Sequence, residues 1–383
     1  MKPLLSVKNL STRFDTFDGS VYAVNDVSFD LNPGETLAVV GESGSGKSVT
    51  MLSLLGLLSG SNEVLGEALY STEGLEVDLL KLSQTELNRL RGNKISIIFQ
   101  DALRSLNPVL TVGDQICESL LTHQKRGERN TRLKEEAGRL RGSKISQVFQ
   151  STLRSFNPVM TVGEQISESL ITHRGYNKKS AYKRAVELLE MVGISQPDKR
   201  YHSYPHMFSG GMRQRAMIAI AISCSPDILI ADEPTTALDV TIQAQIVDLT
   251  RKLQRELGMT VIWITHDLGV VAGIADRVMV MYGGTGVEIA LVDELYEAPC
   301  HPYTEGLLGA IPNIGGDGKE RLVSIEGSPP DLYQAPRHCQ FAWRCHYVFE
   351  PCWQKIPPSY QVTENHYTKC FYDLWKKESR PEV

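Results

Sequence analysis

The sequence predicts an α/β fold built on a mostly parallel sheet, and three observations predict it. Short apolar runs of strand length alternate with stretches of helix length between residues 36 and 282, the pattern of strands joined by covering helices. The run Gly41-Glu42-Ser43-Gly44-Ser45-Gly46-Lys47-Ser48 fits G-x-x-x-x-G-K-[ST] and lies between such a strand and such a helix. A carboxylate pair, Asp232-Glu233, and a histidine, His266, end two further apolar runs. Strand C-terminal ends are where open α/β sheets hold ligands.

The bulk properties bound the answer. A chain of 383 residues with 42% apolar and 22% charged residues can bury a sizeable core in two or so domains. A net charge of −5 gives no basic field for nucleic acid. No run of 18 apolar residues exists to span a membrane. Met1 to Ser6 carries no signal-peptide apolar core, so a cytoplasmic chain is expected. There, the seven cysteines are expected as thiols or metal ligands rather than disulfides.

Taken in order, residues 4–40 read as β-rich. Leu4 to Leu10, Val21 to Val24 and Val27 to Leu31 are short strand candidates, separated by Asp18-Gly19 and Asn32-Pro33-Gly34. Phe14 and Tyr22 precede the glycine loop, and each suits either stacking on a nucleotide base or core packing. Thr36 to Val40 is a buried strand. Val49 to Leu58, with Met51, Leu52, Leu54, Leu55, Leu57 and Leu58, is a buried helix. Between them, Gly41, Gly44 and Gly46 let the backbone curl so that several N–H groups, including that of Ser43, face one phosphate. The helix N-terminus adds partial positive charge. Lys47 then neutralises the β/γ-phosphates, and Ser48 offers its hydroxyl to Mg²⁺.

Residues 59–88 read as a polar excursion leading into a short helix over Leu79 to Leu90. A duplication follows. Residues 89–123 recur as 139–173, displaced by 50 positions, with 25 of 35 positions identical. Each copy reads R-L-R-G-x-K-I-S-x-x-F-Q, then L-R-S-x-N-P-V-x-T-V-G, and the charged stretch Gln124 to Gly138 separates them. One duplication cannot make a solenoid, which needs about three repeats to bury a core. It reads as a local tandem duplication inside one domain, or as a fault in sequence assembly.

Beyond it, Ala181 to Val192 is an amphipathic helix candidate, and Phe208 to Ile222 opens with a glycine pair and runs into a buried helix. Ile228 to Asp232 is a strand, Val240 to Leu257 a helix, Val261 to His266 a strand, and Val278 to Tyr282 a strand stopped by Gly283-Gly284. Two acids at the end of an apolar strand are costly unless they act. Beside a phosphate loop, Asp232 suits Mg²⁺ and Glu233 suits polarising the attacking water, and His266 can reach a γ-phosphate. Near residue 311 the composition shifts toward Pro, Gly, Tyr and Cys, which places a small module over 311–383 after a main domain of 1–310.

In this order the motifs resemble the nucleotide-binding subunit of ATP-binding cassette (ABC) transporters. Gly41 to Ser48 matches Walker A, Phe99-Gln100 the Q-loop, Phe208 to Gln214 the signature, and Ile228 to Glu233 Walker B. Ala237-Leu238-Asp239 matches the D-loop and His266 the switch histidine. More narrowly, Glu233 to Gln245, Phe208 to Arg215, His301-Pro302-Tyr303-Thr304 and Gly327-Ser328-Pro329-Pro330 resemble the ATPases of oligopeptide or dipeptide importers. That subfamily includes nickel importers.

The resemblance implies a P-loop NTPase of ABC type with an antiparallel N-terminal β part and a helical subdomain at about 101–207. It implies ATP and Mg²⁺, with Glu233, His266 and Gln100 catalytic, and Ser48, Gln100 and Asp232 around the metal. Phe14 becomes the base-stacking aromatic. Ser209, Gly210, Gly211 and Asp239 contact nucleotide across a head-to-tail pair. The implied partners are membrane permease subunits, a second ATPase subunit, identical or homologous, and an extracytoplasmic solute-binding protein. The implied location is the cytoplasmic face of the cell membrane, held peripherally. A soluble ABC ATPase of translation or DNA repair is the competing class. It usually joins two cassettes or inserts a coiled coil, and neither is present. An inactive duplication product is a third reading.

The sequence departs from the family in three places. The signature begins Phe-Ser-Gly-Gly-Met, usual for the subfamily. Gly283-Gly284-Thr285-Gly286 lacks the basic residue expected after this strand, read here as a surface matter. The duplication supplies two glutamines for one Q-loop, Gln100 and Gln150, and the more apolar strand Ile95 to Phe99 favours Gln100. In the tail, Cys339, Cys345, Cys352 and Cys370 are spaced C-x5-C-x6-C-x17-C, which is not a zinc-finger spacing. Four thiols so close suggest Zn²⁺ or an iron–sulfur centre, with scattered buried thiols as the alternative. The resemblance leans toward [4Fe–4S]. Cys117, Cys224 and Cys300 read as packing residues.

Overall fold

The computed structural model describes residues 2–72, 75–99, 161–173, 177–236, 238–311 and 324–381. The chain divides into two compact units, one of Met1–Leu82 with Thr260–Val383 and one of Ser83–Met259.

The first unit carries an antiparallel sheet in which Leu5–Thr16 lies between Gly19–Leu31 and Asn62–Thr72, with Leu75–Asp78 beyond. Leu5, Val7, Leu10 and Thr12 are buried along the first strand. The inward alternation slips between Val7 and Leu10, where the pairing register also shifts. A bulge of this kind breaks the period-two signal, which is why the sequence suggests short fragments where one long hairpin forms. The supposed excursion after residue 59 is also part of this sheet. Asn62–Thr72 pairs along Leu5–Thr16, from Phe14 opposite Asn62 to Leu5 opposite Tyr70. Of its residues Ala68 and Tyr70 are buried while Asn62 and Glu63 are exposed, so a half-solvated strand reads as polar sequence.

The central sheet of this unit places Thr36–Val40 between two parallel neighbours, Thr260–Thr265 and Arg277–Tyr282. Every residue of Thr36–Val40 and of Thr260–Thr265 is buried, as expected of strands covered on both faces. At Gly283-Gly284 the chain turns and returns as Thr285–Leu291, antiparallel to Arg277–Tyr282. The tail completes the sheet: Tyr367–Thr368 pairs with Thr285–Leu291, and Tyr360–Gln361 pairs with Tyr367–Thr368. An edge that would expose unpaired backbone is thereby covered. Phe341 of the tail joins Val40, Val280, Tyr282 and Tyr303 in one apolar cluster. Residues 324–381 are therefore built into the first unit.

The second unit contains the parallel pair Ile95–Ile98 and Ile228–Asp232 and the helices Gln84–Leu90, Val162–His173, Lys178–Met191, Pro197–Tyr201, Gly210–Ile222 and Val240–Leu257. The described residues include one piece from each copy of the repeat. The strand Ile95–Ile98 belongs to the first copy and the helix Val162–His173 to the second. Local chemistry accounts for the helix. Thr161 Oγ1 accepts from Glu164 N at 3.3 Å while Glu164 Oε2 accepts from Thr161 N at 2.9 Å, a reciprocal cap. Val162 and Ile166 are fully buried, and Ser167 Oγ lies 2.6 Å from Tyr201 Oη. Gln100, Gln150 and Cys117 lie outside the described residues.

Candidate active site

In the first unit the phosphate loop is shaped by contacts that admit no side chain. Gly41 has φ 150°, and a Cβ there would stand 2.2 Å from Met281 O. Gly46 has φ 95°, and its Cβ would stand 2.5 Å from Ala23 O. Both conformations belong to glycine. Gly46 also precedes the helix Lys47–Leu54 as its N-cap. Lys47 is buried, and its Nζ donates to Gly41 O at 2.8 Å and Glu42 O at 2.9 Å. Ser48 follows in the first helical turn, at the positive end of the helix dipole. Ser43 and Gly44 are exposed at the crest of the loop.

The glycine pair after the third parallel strand is not a surface feature, contrary to the sequence-based expectation. Gly283 and Gly284 are buried. Gly284 N donates to Ser45 O at 3.1 Å, and a Cβ on Gly284 would stand 2.8 Å from Ala23 O. A basic side chain at Gly284 would not fit beside the loop.

His266 follows Thr265, which pairs with Val40 in parallel register. Gly41 and His266 therefore leave adjacent strands at the same level, about 5 Å apart. His266 is exposed. Phe14 is half-buried on the antiparallel sheet, opposite Val21 and Asn62. Its strand reaches the P-loop helix through Thr12 Oγ1 and Ser53 Oγ, 2.8 Å apart.

The second unit gathers the remaining candidates at strand and helix ends. Asp232 is buried as the last residue of its strand. Glu233 follows with φ 46°, a left-handed conformation that is costly outside glycine and collects at functional sites. Thr236 Oγ1 donates to Glu233 Oε2 at 2.9 Å and fixes the carboxylate. Ile98 pairs with Ala231, which sets Phe99 level with Asp232 and starts the Q-loop segment of the first copy beside Walker B. Ser209 caps the helix Gly210–Ile222, its Oγ accepting from Met212 N at 3.4 Å. Asp239 caps Val240–Leu257, its Oδ1 accepting from Ile242 N at 3.0 Å. These two helix starts abut, since a Cβ on Gly211 would stand 2.8 Å from Ile242 Cγ2.

The chain matches the model of the ABC transporter family over residues 24–236. It belongs to that family. A second model, the oligopeptide/dipeptide transporter C-terminal region, matches residues 287–352. Among curated relatives, an oligopeptide transport ATP-binding protein of Haemophilus influenzae is 45% identical over 96% of this chain and 95% of its own length. A dipeptide transport ATP-binding protein of Bacillus subtilis is 43% identical over 100% of this chain and 97% of its own. Among solved structures, a dimeric ATP-binding cassette in a post-hydrolysis state with ADP and Pi superposes with a TM-score of 0.52 and 24% identity. It covers 75% of this chain and 98% of that one, and shows the fold alone. The chain is thus an ABC-type ATPase.

Four tail cysteines line one small cavity with Phe341 and Phe371. Burial pushes the Cys339 thiol up to about 12 and Cys345 up to about 11, and raises Cys352 and Cys370. For Cys339, Cys345 and Cys370 the neighbouring thiols push the same way. Sequence reasoning missed Arg344, between these cysteines, and Tyr303. Arg344 grips Glu42 of the phosphate loop, and Tyr303 Oη accepts from Glu42 N at 2.9 Å. Only the adjacency of Arg344 to Cys345 and of Tyr303 to His301-Pro302 marked them.

Proposed function

We propose that this chain hydrolyses ATP to drive import of peptides through a membrane permease, as the peripheral cytoplasmic subunit of an ABC importer. The observation that carries this reading is the oligopeptide/dipeptide C-terminal region at 287–352, joined to a cassette with both Walker carboxylates. It disfavours nickel import and soluble roles in translation or repair. Two such subunits, identical or homologous, meet head to tail, because one chain carries one P-loop and one signature. Ser209, Gly210 and Gly211 then offer a helix N-terminus to the γ-phosphate held by the opposite P-loop.

In this reading Gly41 to Lys47 cradle the phosphates, and Phe14 stacks on the base. Mg²⁺, held by Ser48 and Asp232 with Gln100, neutralises phosphate charge when bound. Glu233 takes the proton of the attacking water, and His266 senses the γ-phosphate. Asp239 orders the D-loop at the facing site. The second copy's Gln150 is the alternative to Gln100.

The tail cysteines hold a metal centre in the same reading. Among the described residues, the one group with three ligand atoms within 4.8 Å of one another is Glu288, Cys300 and His366. The four tail cysteines instead line one common cavity, which is what supports reading them as one ligand set. An iron–sulfur cluster or Zn²⁺ each suits four thiolate ligands, and the family resemblance leans toward the cluster.

Reconstitution tests the function. With permease subunits in proteoliposomes and a peptide-loaded solute-binding protein outside, ATP hydrolysis should rise on peptide addition. Stimulation by Ni²⁺ complexes with none by peptides would overturn it.

A further inference from the structure

Glu42, the second residue of the phosphate loop, has its carboxylate and its N–H held from outside the loop and its carbonyl held by the loop lysine. The Glu42 carboxylate receives both arms of Arg344, Nη1 to Oε2 at 2.9 Å and Nη2 to Oε1 at 3.0 Å. Its N–H donates to Tyr303 Oη at 2.9 Å, and its carbonyl accepts from Lys47 Nζ at 2.9 Å. The Arg344 side chain is 5% exposed. Its remaining donors are satisfied: Nε on Glu326 O at 2.9 Å, Nη2 on Ile325 O at 3.1 Å, and Nη1 on Tyr282 Oη at 3.3 Å. Tyr282 ends the strand next to the P-loop strand, so the guanidinium ties a tail segment, a sheet end and the loop together.

A paired fork of this kind fixes direction as well as distance, because two parallel N–H···O bonds admit one orientation of the carboxylate. The Glu42 side chain in turn sets the plane of its own peptide, whose carbonyl holds Lys47. A nucleotide phosphate must draw Lys47 away from Gly41 O and Glu42 O. The position of the Glu42 peptide therefore enters the affinity for nucleotide directly.

We propose that Arg344 is a positioning residue for nucleotide binding, through which the folded tail sets the shape of the phosphate loop and the placement of Lys47. The inference rests on Gly41 to Ser48 being the nucleotide site. Arg344 does not touch the nucleotide, and its effect passes through Glu42. Lysine cannot replace it, since an ammonium lacks the planar fork and cannot also reach the carbonyls of Ile325 and Glu326.

The experiment is a double-mutant cycle on the full chain with Arg344→Lys, Glu42→Gln and the pair, reading fluorescent MgATP-analogue affinity and ATPase kinetics. Arg344→Lys should weaken nucleotide binding about tenfold and raise KM, with kcat at saturating ATP falling less than about threefold. Glu42→Gln should act in the same direction. The pair should be no weaker than the worse single variant, because both remove one interaction. Unchanged affinity in both single variants would overturn the proposal, as would effects that simply add. If Arg344→Lys fails to fold, Glu42→Gln alone decides it: affinity equal to the parent's refutes the role. Failure of the parent itself to bind nucleotide would instead refute the assignment of the site.

Discussion

His366 Nε2 lies 2.7 Å from Glu288 Oε1, with both side chains buried. Glu288 also accepts from Cys300 N at 2.6 Å and His301 N at 3.1 Å. One carboxylate thus joins the strand Thr285–Leu291, the entry to the helix Pro302–Gly309 and the tail strand Tyr367–Thr368. Burial opposes a charged His366, but the Cys300 and Glu288 partners outweigh it and push its pKa up to about 9. His301 is the opposite case. Burial drives it down to about 3, and its neutral Nδ1 accepts from Tyr303 N at 3.0 Å to cap the helix.

The signs of these shifts predict a stability optimum. His366 holds its proton more tightly folded than unfolded. Its contribution is complete below its ordinary value of 6.5 and is lost as pH rises through about 9. His301 contributes above 6.5, and its contribution is lost as pH falls toward about 3. Urea denaturation at several pH values should therefore show greatest stability near pH 6.5. His366→Gln should remove much of the alkaline loss and cost about 3 kcal/mol at pH 6.5, since it leaves a buried carboxylate short of a partner. An alkaline loss of the same size in the variant would dismiss His366 as its source.

Glu233→Gln should keep ATP binding and lower hydrolysis by about 10²–10⁴-fold, the range for removal of a general base. The carboxylate is fixed by Thr236 and follows the buried Asp232, so the amide should disturb little else. Hydrolysis at the parent rate would take the role of base away from Glu233.

Iron and sulfide, or zinc, should be found at about one centre per chain in anaerobically purified protein. Cys339→Ser should abolish that content, whereas Cys224→Ser should retain it, because Cys224 is buried in the other unit beside Ser223. Equal metal content in both variants would separate the centre from the tail thiols.

The site was legible in the sequence where chemistry is local. A phosphate loop needs its glycines, lysine and serine within eight residues, and Gly41 to Ser48 supplies them. The places of Asp232 and His266 at the ends of strands were legible because each ends an apolar run. Long-range contacts were not. Nothing near Arg344 in sequence points to Glu42, and a glycine pair at 283–284 looks like any turn until Ser45 O is found against it. The antiparallel sheet was half legible for a related reason: a bulge between Val7 and Leu10 scrambles the alternation, and Asn62–Thr72 exposes too many polar residues to show its buried face.

The duplication yields the last prediction. Removing residues 101–150 joins Gln100 to Ser151 and leaves one strand and one helix, both described in the second unit. Ile95–Ile98 keeps its pairing with Ile228–Asp232, and Val162–His173 keeps its cap at Thr161 and Glu164. Loop closure costs little either way. Shortening a connection from about 60 to about 10 residues recovers only some 1.5 kcal/mol, against a domain stability of roughly 5–15 kcal/mol. The larger effect is the removal of a second apolar strand sequence, for which Ile95–Ile98 already fills the place beside Walker B. The shortened protein should be at least as soluble and as active as the parent, with a melting temperature no lower. Thermal unfolding and ATPase assays on both forms decide it. A shortened chain that fails to fold, or that loses hydrolysis with the permease present, would establish that both copies belong to the working structure.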